Sequence, residues 1–137
     1  MAGFGGAIKN SSIGIASVRR KGRIHGSSFL EAMAEANKSV ADALDGHILY
    51  INVMNRLSLD CDCESDPRET DMHDIGILAS IDPVALDQAC VDLIYKAPDG
   101  EAFVRQIERL NGNHNLQHGE KNGLGSRTYK LIDIDKI

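Results

Sequence analysis

The stretch from Ile75 to Ala97 constrains the fold more than any other. Ile75 to Ile81 is a short apolar run that stops at Asp82-Pro83, and beyond it Val84, Ala85, Leu86, Ala89, Cys90, Val91, Leu93 and Ile94 cover most of a helix's circumference. An aspartate before a proline sets an N-cap carboxylate and an N1 ring at the mouth of a helix. The pattern therefore predicts a strand leading directly into a helix over Pro83 to Ala97. Only Asp87, Gln88, Asp92 and Lys96 form a polar face on it, and a helix so apolar elsewhere must be surrounded by protein. Val91, Leu93 and Ile94 are expected to be nearly fully buried.

A second apolar run, Ile48 to Met54, reads Ile-Leu-Tyr-Ile-Asn-Val-Met. Without polar alternation it has the pattern of a strand covered on both faces, which predicts a central, parallel strand. Before it, Leu30, Met33, Ala34, Val40, Ala41 and Leu44 keep a helical period over Phe29 to Leu44, interrupted by Asn37. Ser28 and Glu31 match a capping box and Gly46 offers the stop. Phe103, Ile107 and Leu110 define a further amphipathic helix ending near Asn111-Gly112, and a shorter helical piece is expected at Leu116 to Lys121. Tyr129 to Ile134 reads as a last strand. Strands separated by helices predict an α/β fold with a mainly parallel sheet packed with helices. At 137 residues, a single domain over 1–137 is expected.

Charge narrows the function classes. Fifteen Lys and Arg against 20 Asp and Glu give a net charge of -5, and the one basic cluster, Arg19, Arg20, Lys21 and Arg23, reads as a solvated turn. Nucleic acid is a poor partner for such a surface, because phosphate binding draws on clustered cations. No apolar run approaches a membrane span, and the N-terminal residues lack the pattern of a secretory signal, so a cytoplasmic protein without membrane contact is expected. Three cysteines, Cys61, Cys63 and Cys90, are an odd number, which disfavours a disulfide scaffold. They are also one short of the usual four-thiolate cluster.

Two segments stand outside the periodic pattern. Leu59 to Asp74 is polar and acidic, and holds Asp60-Cys61-Asp62-Cys63-Glu64 followed by His73 and Asp74. A tight turn would let Cys61 and Cys63 reach one metal, with His73 or Asp74 adding a ligand. Against this, the spacing is no CxxC pair and the neighbouring acids oppose thiolate formation. The alternative is a loop whose cysteines pack against the sheet while its acids are solvated. The opening Gly3-Phe4-Gly5-Gly6 with Lys9 offers backbone N–H groups and an ammonium to an anion through Gly5, Gly6 and Lys9, or else a turn where glycines permit close packing. Ser80 and Asp82 lie at a strand-to-helix junction, where open parallel sheets place ligand crevices, although capping alone accounts for Asp82. His114 and His118 share a helix face without an HExxH motif and read as solvent-exposed, while Cys90 reads as core.

Several strings together resemble one family: Gly3-Phe-Gly-Gly-Ala-Ile-Lys-Asn10, Ile48 to Asn55, Cys61-Asp-Cys63, Asp74 to Asp92, and Gly123-Leu-Gly-Ser126. The resemblance is to the domain of unknown function 362 family, whose members are often labelled iron-sulfur-centre proteins. It implies an iron-sulfur cluster or transition metal as the cofactor. Many relatives also carry a ferredoxin-like insert with four cysteines, and here Arg19 to Ser28 holds none, so those clusters are not implied. The chain looks like the C-terminal part of a longer family domain.

The leading expectation is thus an uncharacterised metal- or iron-sulfur-associated redox module built on Cys61, Cys63, His73 and Asp74. A small-anion or nucleotide-binding domain using Gly5, Gly6 and Lys9 is the alternative, and a noncatalytic fragment needing a partner chain is a third. A sheet edge left uncovered invites pairing, which predicts a homo-oligomer or a partner chain.

Overall fold

A computed structural model of the protein describes residues 26–59 and 72–136. Within them the order is helix α1 (Ser27–Ala43), strand β1 (Tyr50–Met54), strand β2 (Gly76–Ser80), and helices α2 (Pro83–Lys96), α3 (Glu101–Arg109) and α4 (Asn113–Lys121), closed by a 3₁₀ turn at Ile134–Lys136. Helix α2 is the hub. It lies across both strands and also packs on α3 and α4, while α1 packs chiefly on α4.

The expectation of a mainly parallel sheet is overturned. Among the described residues the sheet has two strands, and β1 pairs with β2 antiparallel in the register Tyr50↔Ser80 through Asn52↔Leu78 to Met54↔Gly76. A parallel pair needs a crossover, usually a helix, and the sequence between Asn55 and Ile75 carries no helical period to supply one. The apolar run at β1 also misled on burial. Tyr50, Asn52 and Met54 face the helices, whereas Ile51, Val53, Ile77 and Ala79 form an exposed outer face. The strand expected at Tyr129 to Ile134 does not form: residues 129–133 have no regular structure, Ile134 opens the 3₁₀ turn, and Leu131, Ile132 and Ile134 are exposed.

Helix α2 starts where its sequence says it should. The Asp82 side chain accepts hydrogen bonds from the Val84 and Ala85 backbone N–H groups at 2.9 and 3.0 Å through Oδ1, and Pro83 fills N1. The other oxygen, Oδ2, accepts from the Ser126 backbone N–H at 2.8 Å. Ser80 Oγ accepts from the Asp82 N–H at 2.9 Å, closing the strand-to-helix turn. That turn is a structural cap, and with the parallel sheet gone the topological argument for a ligand crevice there lapses.

Two apolar clusters flank α2. Toward the sheet and α3, Met54, Met72, Cys90, Ile94 and Ile107 form the main core, with Leu57, Ile75, Leu78, Phe103 and Val104 packed against it. Toward α4, Val84, Val91 and Leu116 form a smaller cluster. Val91 and Ile94 are buried as expected, but Leu93 is only half-buried.

The α1 capping box does not form. Ser28 lies inside the helix, Gly26 is the N-cap without a side-chain bond, and Glu31 instead accepts from His114 Nε2 at 2.8 Å. One turn on, His118 Nε2 meets Glu35 Oε1 at 3.1 Å. Both rings therefore sit in the α1–α4 seam rather than in open solvent, and the His114 ring holds the Glu31 carboxyl below the usual range.

Two outcomes test this packing by chemical denaturation. Ile94, with 1% of its surface exposed, should cost about 2–5 kcal/mol when changed to alanine, and Leu93→Ala should cost less. A Cβ on Gly125 would lie 2.0 Å from Asp82 Oδ1, and that oxygen is fixed by two bonds. Gly125→Ala should therefore destabilise, and more than Gly123→Ala, whose cost is the left-handed φ of 78° and not a clash, its Cβ meeting only a flexible lysine end at 3.8 Å.

Candidate functional site

Strand β2 and helix α2 run out and back. Five strand residues span about 17 Å and 14 helical residues about 21 Å, so the end of α2 returns to the level at which β2 began. The turn after α2 is thereby placed beside the residues before β2. Its geometry is tight: the Gly100 N–H donates to Ala97 O at 3.1 Å, and a Cβ on Gly100 would lie 2.2 Å from Ile94 O. This turn presents Asp99 to His73, 26 residues earlier in the chain.

Asp99 grips His73 twice. Its Oδ2 accepts the His73 backbone N–H at 2.8 Å and its Oδ1 lies 2.7 Å from the ring Nδ1. The backbone N–H first, and the ring bond with it, hold the Asp99 carboxyl below the usual carboxylate range. With a carboxylate facing Nδ1, that nitrogen carries the proton and the lone pair of a neutral ring lies on Nε2. Met72, just ahead of His73, is buried in the main core and fixes this position.

Asp74 is held elsewhere. Its Oδ1 accepts the Arg56 backbone N–H at 2.7 Å and its Oδ2 accepts Asn55 Nδ2 at 2.8 Å. Arg56 has φ 50°, a left-handed conformation rare outside glycine, and the Asp74 bond stabilises it. The two adjacent residues therefore have separate partners, and Asp74 closes the base of the β1–β2 pair together with the 2.9 Å Ile75 N–H to Met54 O bond. Cys61 and Cys63 lie outside the described residues, as do Gly5, Gly6 and Lys9. Among the described residues no group of three His, Cys, Asp or Glu side chains is arranged to hold a metal.

The polar face of α2 is used inside the fold. Asn52 Nδ2, from the inner face of β1, donates to Asp87 Oδ1 at 2.8 Å and approaches Cys90 Sγ at 3.4 Å. Burial pushes both the Asp87 carboxyl and the Cys90 thiol up, although the Asn52 bond opposes this at each. Cys90 is thus the inert core thiol that its neighbours predict. Asp92 accepts from Gln88 Nε2 at 2.8 Å and from the Tyr129 hydroxyl at 2.7 Å, while Arg127 Nε donates to Gln88 Oε1 at 2.8 Å. This network ties the C-terminal arm to α2.

Sequence reading missed Asp99 and Tyr129 as partners. Asp99 stands in Pro-Asp-Gly, a plain turn signal, and nothing in the spacing announces a histidine 26 residues away. Tyr129 stands in a segment whose pattern suggests a strand, and residues 129–133 have no regular structure.

The Tyr129 bond to Asp92 raises its phenol to about 12. The folded state therefore favours the protonated hydroxyl: its contribution to stability is full below about pH 10, the ordinary tyrosine range, and is lost as pH rises through the folded value. Ultraviolet titration should show a tyrosine ionising near pH 12 that disappears in Tyr129→Phe and falls toward pH 10 in Asp92→Asn. A titration unchanged by Asp92→Asn would show that the bond is not kept in solution.

Residues 1–92 match the family described as Domain of unknown function (DUF362), a match that ends within α2 and does not extend to Gly123–Ser126. No curated protein and no solved structure matches the chain. No helix among the described residues is long and apolar enough to cross a membrane. The family match takes in the glycine-rich opening, the cysteine segment, both strands and the capped start of α2, and the chain belongs to the domain of unknown function 362 family.

Proposed function

We propose that the protein is a metal- or iron-sulfur-associated redox module in which Cys61, Cys63 and His73 hold the metal. The observation that supports this is the Asp99–His73 pair. Metal-binding histidines commonly donate their second ring N–H to a carboxylate, which fixes the tautomer and raises the basicity of the ligating nitrogen. His73 has this arrangement at 2.7 Å, with its Nε2 left as the donor atom. The set fits a soft or borderline metal by its chemistry, two thiolates and one imidazole. Asp74, with both oxygens engaged by Asn55 and Arg56, serves the hairpin base instead of the metal.

Iron held by such ligands supplies one-electron transfer. What the chain itself contributes is placement: Met72 anchors the segment in the core, and Asp99 sets the direction of the His73 ring. Three protein ligands leave a position for an exogenous ligand or a group from a partner chain.

Metal analysis of protein purified without oxygen, followed by titration with Fe²⁺ and Zn²⁺, tests the reading. Stoichiometric binding is expected, abolished by the double change Cys61→Ser/Cys63→Ser with the circular dichroism spectrum unchanged. Asp99→Asn should weaken binding about 10- to 100-fold, the usual effect of losing such a supporting carboxylate, while Asp74→Asn should leave affinity nearly unaltered. Absence of metal, or binding indifferent to the cysteines, would overturn the proposal.

A further inference from the structure

Among the described residues, the outer face of the β1–β2 pair is apolar and exposed. Leu49, Ile51, Val53, Ile77 and Ile81 are all more than half exposed, with Ile77 at 71% and Ile81 at 79%. The register sets Ile51 opposite Ala79 and Val53 opposite Ile77, so these side chains form one continuous patch. It amounts to roughly 600 Å², at the upper limit of what a monomer leaves in contact with water. The opposite face of the same two strands is covered by α2.

We infer that this face is a homodimer interface, closed by the same face of a second copy. Area is the first argument. Two such faces brought together remove on the order of 1,200 Å² from solvent, which reaches the lower bound for a specific protein–protein interface. Charge is the second. The chain carries a net charge of -5, so copies repel at a distance, yet Leu49, Ile51, Val53, Ile77, Ala79 and Ile81 bring no charged group to the contact. The third is shape. Two β-faces stack about 10 Å apart with their strands nearly aligned, and a patch that meets itself is the isologous contact of a two-fold dimer. The inference is independent of the metal reading, since none of these residues belongs to the proposed ligand set.

Sedimentation equilibrium of the whole chain, with Ile77→Lys and Val53→Lys as separate variants, is the test. Both positions are exposed, so each variant should keep the wild-type circular dichroism spectrum. The expected result is a wild-type dimer whose dissociation constant rises at least about tenfold in either variant and falls as salt screens the net charge. A wild-type chain that stays monomeric at high micromolar concentration would overturn the inference. So would a dimer that both lysines leave intact, which would place the contact on another surface. A monomer in which Ile77→Lys lowers the melting temperature would also overturn it, and would show the face covered from within the chain.

Discussion

The Asp82 carboxylate is the interaction on which the rest of the structure depends. One oxygen caps α2 through Val84 and Ala85, and the other holds the Ser126 N–H. A single side chain therefore fixes both where the central helix begins and where the arm beyond α4 crosses it. Gly125 lets that arm come close, because any side chain there would occupy the carboxylate's place. Once α2 is fixed at its start, its helical phase decides which residues face the sheet and which face α4. Cys90 and Ile94 fall on the first side and Val84 and Val91 on the second.

That helix was legible because several local signals agreed on it. Asp82-Pro83 marked its start, the apolar circumference predicted burial, and Pro98-Asp99-Gly100 marked its end. The strands were legible as segments but not as partners. Pairing direction depends on the path of the intervening chain, which leaves no periodic trace in β1 or β2 themselves. The unbroken apolar run at Ile48 to Met54 suggested cover on both faces, yet α2 supplies cover on one alone. The run is better explained by two apolar surfaces of different kinds, one inside the fold and one on the open face.

Capping signals near α1 failed for a related reason. Ser28 and Glu31 have the spacing of a capping box, but Glu31 reaches His114 on a helix 83 residues away. A tertiary donor competed with a local one and displaced it. The repeated spacing of His114 and His118 against Glu31 and Glu35 is visible only after α1 and α4 are set side by side. The proposed ligands Cys61, Cys63 and His73 were likewise readable as residue types. The supporting carboxylate was not, since Asp99 becomes a neighbour of His73 only through the return path of α2.

That return path divides the molecule into two ends with different tasks. At the Asp82 end, Ser80 and Asp82 are consumed by the cap and its turns, each through a backbone N–H. At the other end, where β1 finishes and β2 begins, Asp74 is spent on the hairpin base while Asp99 is spent on a side chain that still offers a nitrogen. The Asp99 bond to the His73 backbone N–H holds the segment in place. The second Asp99 bond, to the ring, defines a tautomer and a direction, and that is what a ligand requires of its support. The polar groups of α2 reinforce the separation. Asp87 and Asp92 lie on the polar face of α2, and Asn52, Gln88 and Tyr129 bond to them within the fold.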